Sequence, residues 1–248
     1  MDKNEIKALF STFKINKKII SSSSEINMLV NKLENAINYE RPDAYIQIDN
    51  FVYGIEHFQI SQYYKDKSGD IAQKTKGILN NKKTTTKEDD IFFNPSIDNL
   101  CKALSSNLQQ HSKNFECYKS RIIEKTGMDA SLYRLVIFVE DSTESGYIVK
   151  KRDTQTVFPM DLDKLAECLL NYKDSVWGIL YSYGNEREKI LSGYTMEELA
   201  TKKENGILLD SSKYTPFEFQ KKQHISAGEN REDDTTTVSI KLFETIRR

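Results

Sequence analysis

Residues 40–61, E-R-P-D-A-Y-I-Q-I-D-N-F-V-Y-G-I-E-H-F-Q-I-S, admit one local structure: two strands joined by a tight turn. Pro42 pushes Arg41 out of the helical region and into an extended entry. Residues then alternate with the two-residue period of a pleated strand over Ala44–Ile48 and again over Phe51–Ile60. Asp49-Asn50 supplies the turn, a pair suited to a tight connection. In the first strand Asp43, Tyr45, Gln47 and Asp49 share a side. In the second, Val52, Gly54, Glu56, Phe58 and Ile60 share one face, and Tyr53, Ile55, His57 and Gln59 the other. Acids are depleted inside strands because half-buried pleats favour β-branched and aromatic side chains. A carboxylate in the middle of such a strand therefore needs a partner, and Glu56 calls for either a basic side chain such as Arg41 or a metal ion.

The rest of the chain surrounds this hairpin with alternating helix and strand signals. Residues 1–20 carry Ile6, Leu9, Phe10 and Phe13 at helical spacing, consistent with a short helix or a packed arm. Ser24 caps a predicted helix whose apolar stripe is Ile26, Leu29, Val30, Leu33, Ala36 and Ile37, with Glu34 at its border and Glu40 near its C-terminal end. Residues 61–90 form a polar, lysine-rich insertion with the composition of a loop or lid. A long amphipathic helix capped by Ser96 runs past Ile122 to Gly127, with His111 on its buried stripe as a satisfied core histidine. The continuously apolar run Leu132–Val139 predicts a strand covered on both faces and closed by Glu140-Asp141. A helix from Asp161, a buried strand over Val176–Ser182, a capping box Thr195–Glu198 opening a helix to about Lys203, and a half-buried strand over Thr236–Phe243 complete the order. These elements predict one α/β domain spanning residues 1–248, a mixed central sheet flanked by helices, with the insertion at about 61–90.

Composition narrows the function classes. The 36 Lys and Arg against 37 Asp and Glu leave a net charge of −1, so no global field attracts nucleic acid or a membrane surface, and any such partner must use a local patch. The insertion, with Lys65, Lys67, Lys74 and Lys76, is the basic segment long enough to be one. The three cysteines, Cys101, Cys117 and Cys168, are widely spaced and lack the pairing of a zinc site, which fits free thiols in a reducing compartment. No apolar run approaches a membrane span, and the first residues lack the apolar core of a signal peptide, so a cytoplasmic location and no membrane partner are expected. No G-x-S-x-G, P-loop or dinucleotide-binding glycine pattern is present to support a different hydrolase or nucleotide chemistry.

An acidic helix residue, an acid at the start of one strand and an acid in the middle of the next can converge if the helix packs on the hairpin. Hard divalent cations take carboxylate and water oxygens, and phosphodiester hydrolysis uses such an ion to activate water and neutralise developing charge. Arg41-Pro42-Asp43 followed by Glu56 inside a hairpin resembles the PD-(D/E)XK nuclease-like superfamily. That resemblance implies a restriction-endonuclease-like core and a metal-dependent nuclease acting on DNA, or on RNA, with a role in bacterial phage defence. It implies Mg²⁺ or Mn²⁺ held by Asp43 and Glu56 together with Glu34 or Glu40. A homo-oligomer or a protein partner in a defence complex is a further expectation of the same kind. The motif's lysine belongs two residues after the hairpin acid, where this chain has Phe58. Either a lysine of the following segment, Lys74 for example, or the flanking His57 and Gln59 then join Asp43 and Glu56 as catalytic residues. Otherwise the domain is a catalytically inactive nuclease-like module that binds protein or nucleic acid. A further departure is the short distance between the first helix and Asp43, which leaves little room for the strand that usually precedes the hairpin.

Overall fold

The computed structural model describes residues 19–20, 23–60, 97–141, 148–150, 156–185 and 188–216. In chain order the strands and α-helices are β1 (Ile19–Ile20), α1 (Ser24–Lys32), β2 (Ile37–Asn38), β3 (Ala44–Ile48), β4 (Phe51–Ile60), α2 (Ile97–Lys113), α3 (Phe115–Thr126), β5 (Tyr133–Asp141), β6 (Ile148–Lys150), β7 (Thr156–Val157), α4 (Asp163–Leu170), β8 (Gly178–Asn185), β9 (Glu188–Thr195), α5 (Met196–Glu204) and β10 (Tyr214–Pro216). Seven strands form one mixed sheet in the order β1-β9-β8-β5-β4-β3-β2, and β10-β6-β7 form a second, small sheet. Strands β4, β5 and β8 run parallel at its centre, while β2-β3-β4 and β8-β9 are antiparallel. Among the described residues no helix is long and apolar enough to cross a membrane.

The α/β class and both hairpin strands match the expectation from sequence, and the reason is the alternation that specifies them. Each face of the sheet has its own core. On one side Val52, Phe58, Leu135, Ile137, Val139 and Ile179 pack under α2, α3, α4 and α5; on the other Tyr53, Ile55, Val136, Phe138 and Leu180 pack, among the described residues, under α1. Strand β5 is covered on both faces, which is why Leu135–Val139 is a continuous apolar run. Leu104, fully buried in the α2 face, makes the core's contribution measurable. Leu104→Ala is expected to cost about 2–5 kcal/mol, read as a fall in the urea midpoint.

Several boundaries differ from expectation. The N-cap of α1 is Ser23, whose Oγ accepts from the Ile26 amide at 3.2 Å, not Ser24. The helix ends at Lys32 and tightens into a 3₁₀ turn over Leu33–Asn35, so Glu34 and Glu40 do not lie on an α-helix. Leu33 and Ala36 are buried as predicted, but Ile37 is 52% exposed. The residues after the turn form β2, so the strand preceding the hairpin is present and only two residues long. The single long helix expected as far as Gly127 is two helices, broken at Asn114, whose amide donates to the His111 carbonyl. Its end at Gly127 holds, with φ at 70° supplying the left-handed cap. Glu140 and Asp141 lie inside β5 rather than beyond it. The helix predicted from Asp161 begins at Asp163, after a 3₁₀ turn over Pro159–Asp161. The capping box at Thr195 and Glu198 is formed. Strand β9 went unrecognised because it opens on charged residues and carries an internal glycine. The predicted arm apart from Ile19–Ile20, the lysine-rich insertion, Ser96 and the strand at Thr236–Phe243 lie outside the described residues.

Candidate functional site

The antiparallel register of β3 on β4 pairs Ala44 with Ile55, which brings Asp43, just before β3, beside Glu56. Two reciprocal hydrogen bonds fix the arrangement. The Asp43 amide donates to Glu56 Oε2 at 3.1 Å, and the His57 amide donates to Asp43 Oδ2 at 2.8 Å. Each carboxylate is thus held by the backbone of the opposite strand.

Glu56 is 7% exposed, and a carboxylate so buried is costly unless hydrogen-bonded. Its remaining partners come from the break between α2 and α3. Tyr118 Oη donates to Glu56 Oε1 at 3.0 Å, and His111 Nδ1 lies 3.0 Å from the same oxygen. His111 and Tyr118 are themselves 3.3 Å apart. Had the helix run straight through, residues seven apart would sit about 10.5 Å apart along its axis; the turn at Asn114 folds them onto one acceptor. Arg41, the basic partner considered for Glu56, is exposed and is not among these partners.

Burial, and then the negative charge of Glu56, raise the Asp43 carboxyl above its ordinary 3.8, against the lowering effect of the His57 amide. Burial and the same charge hold the Tyr118 phenol protonated far above neutral pH, so it serves as a donor. The sign for Asp43 has a consequence. A carboxyl raised in the folded chain binds its proton more tightly there than in the unfolded chain. Its contribution to stability is present below 3.8 and lost as pH rises through the raised value. Asp43→Asn keeps an acceptor for the His57 amide and removes the titration. The variant is expected to be at least as stable as the parent near about pH 7 and to lose part of the decline in stability above the ordinary carboxylate range, measured as urea midpoints across pH.

Phe58, in the place of the motif lysine, lies flat against His111, with ring centroids 5.3 Å apart and planes within 5°. The two remaining hairpin candidates point elsewhere. The His57 ring packs at 5.4 Å from Phe138, whose side chain belongs to the α1 face. Gln59 donates to Glu140 Oε2 at 2.7 Å on that same face. Glu34 is exposed on the 3₁₀ turn, and Glu40 is exposed with its carbonyl taken by Arg121. No group of three or more His, Cys, Asp or Glu side chains suited to a metal ion occurs among the described residues, so neither acid is gathered with Asp43 and Glu56. Lys74, with Lys65, Lys67 and Lys76, lies outside those residues.

His111 and Tyr118 are the residues that sequence reasoning missed. Both keep the helical apolar spacing of core residues, and the one usable signal is that both are polar-tipped members of an otherwise apolar stripe. The cysteines offer no competing site. All three are unpaired, and burial pushes the Cys101 thiol up to about 12, leaving it protonated at neutral pH. Comparison with family models, curated proteins and solved structures gives no match.

Proposed function

We propose that this chain is a metal-dependent phosphodiesterase acting on nucleic acid, DNA in the first instance, with Asp43 and Glu56 as the cation ligands. The observation that carries the reading is that the two carboxylates are held side by side across β3 and β4, Glu56 by the Asp43 amide and Asp43 by the His57 amide. The arrangement of α1, β2-β3-β4, the α2–α3 helices and parallel β5 also supports it, since a helix, a three-stranded meander and a return through helix to a parallel strand is the element order of a restriction-endonuclease-like core.

The donor set fits a hard divalent cation such as Mg²⁺ or Mn²⁺. Both groups are anionic oxygen donors, and positive charge between them offsets the burial and the Glu56 repulsion that raise Asp43. When bound, such an ion supplies Lewis-acid polarisation of a phosphoryl oxygen and a lowered pKa for its water. The protein's own contribution is to hold the ligands. Backbone amides orient both carboxylates, and Tyr118 fixes Glu56 by donating its proton. His111 takes the neighbourhood that the motif lysine would occupy, steadied by the ring of Phe58.

The test is cleavage of single- and double-stranded DNA and RNA with and without Mg²⁺ or Mn²⁺, comparing wild type with Glu56→Gln. Equal cleavage by the two proteins overturns the assignment. One observation favours the inactive-module reading: Glu56 Oε1 is already engaged by Tyr118 and His111. Calorimetric titration with Mn²⁺ separates the two, because a module with a closed carboxylate takes up no cation there.

A further inference from the structure

The side of the sheet facing away from Asp43 and Glu56 carries a second polar cluster at the C-terminal ends of the parallel strands. Register places Gln59 of β4, Glu140 of β5 and Ser182 of β8 side by side, with His57 two residues before Gln59 on the same face. Ligand crevices in α/β sheets open at these strand ends. Glu140 and Ser182 are 5% and 0% exposed.

Three features of this cluster are poorly explained by packing. The His57 side chain is 5% exposed, and its buried Nε2 has no hydrogen-bond partner among the described residues. Ser182 Oγ is likewise buried without one. A buried polar atom left unpaired is costly, so such atoms mark a place where a water or an ion belongs. Finally, His57 Nε2 stands 3.5 Å from Glu140 Oε2. That separation is too long for a good N–H···O bond. It does match the edge between two ligands of one tetrahedral ion, since atoms about 2.0–2.1 Å from such a centre lie about 3.3–3.4 Å apart.

We propose that His57 and Glu140 form a second cation site, on the opposite face from Asp43 and Glu56, for an imidazole-binding transition metal such as Zn²⁺ or Co²⁺. An imidazole nitrogen with a carboxylate oxygen suits these borderline ions and is a poor cage for Mg²⁺, which keeps to oxygen. Gln59, exposed at its surface side, donates to Glu140 Oε2 and orients the carboxylate as an outer-shell partner does. The Ser182 hydroxyl sits beside Glu140 in register, placed to receive a metal-bound water. His57 and Glu140 supply two of the ligands from adjacent strands. The site does not depend on the nuclease reading, because its side chains and those of Asp43 and Glu56 belong to opposite faces of the sheet.

The chain has three histidines, at 57, 111 and 224, which makes ring-nitrogen NMR decisive. The full chain, labelled with ¹⁵N-histidine and stripped of metal with a chelator, is titrated with Zn²⁺. The expected result is a shift of the His57 ring nitrogens alone, assigned because the shifted signal persists in His111→Gln and His224→Gln and is absent from His57→Gln. Glu140→Gln is expected to raise the Zn²⁺ concentration needed to shift the His57 signal by more than about tenfold. The proposal is overturned if no histidine signal shifts in wild type, if the shifted signal is that of His111 or His224, or if Glu140→Gln binds Zn²⁺ as wild type does. Should His57→Gln fail to fold, the wild-type spectrum with the two other histidine variants still decides the outcome.

Discussion

Glu56→Gln is expected to abolish metal-dependent cleavage, by on the order of 10³-fold or about 4 kcal/mol of transition-state stabilisation, while leaving the fold intact. The stability half of that statement follows from the partners. A glutamine can present its carbonyl to the Asp43 amide and its amino group to the Tyr118 and His111 side, so both hydrogen-bonded edges of the native carboxylate stay occupied. Removing the charge also lifts the repulsion that raises Asp43. The melting temperature should therefore be no lower than that of wild type, followed by circular dichroism. Glu56→Ala differs: it strands the Tyr118 hydroxyl and the Asp43 amide near the core and should lose both activity and stability. Comparing the two variants separates a residue kept for chemistry from one kept for packing. If Glu56→Gln is fully active and markedly less stable, Glu56 is a structural acid.

How far the sequence could be read depended on whether each signal was local. The hairpin was legible because every residue of β3 and β4 votes for the same period, and burial of both faces leaves the register no freedom to slip. Strand β5 was legible for the same reason in a different form, the five consecutive apolar residues Leu135–Val139 being satisfied only by a strand buried on both sides. The first helix was overextended because Leu33 and Ala36 meet the core equally well from a 3₁₀ turn, and apolar spacing alone cannot tell that turn from another turn of α-helix. The break at Asn114 leaves the apolar stripe nearly intact, so periodicity passes straight over it. The candidate site was half legible. Asp43 and Glu56 are joined by the geometry of one hairpin, which is a local fact. His111 and Tyr118 reach Glu56 across more than fifty residues, through a helix break and a parallel crossover, and no spacing rule carries that information. The same holds for Glu140, whose link to Gln59 exists only once β4 and β5 are in register.

The largest loss of stability is expected at a residue with no chemistry at all. Among the described residues α1 is the helix that covers its face of the sheet, and it lies close because two glycines admit the side chain of Ile26. Gly178 starts β8 and faces Thr195 of β9; Gly193 of β9 faces Leu180 of β8. A Cβ at position 193 would stand 2.6 Å from Ile26 Cγ2 and 2.9 Å from Leu180 Cδ2, with the Ile179 carbonyl oxygen at 3.3 Å. Both side chains are fully buried, so neither has solvent to move into, and a valine adds two methyl groups to the clash. Overpacking of this kind costs about 1–3 kcal/mol for single methylenes and more when backbone must shift, so Gly193→Val is expected to cost about 3 kcal/mol or more out of a total of roughly 5–15 kcal/mol. The urea midpoint should fall accordingly, with α1 displaced and its amides losing protection from hydrogen exchange before those of β5. The cause can be isolated with a second substitution. Ile26→Ala alone opens a cavity and is expected to cost about 2–5 kcal/mol, but in combination the valine fills the space the isoleucine vacates. The double variant should thus be more stable than the sum of the two losses predicts, by about 1 kcal/mol or more. Strict additivity would instead mean that Gly193 is required for the backbone of β9 itself, and that the close seat of α1 on the sheet is set elsewhere.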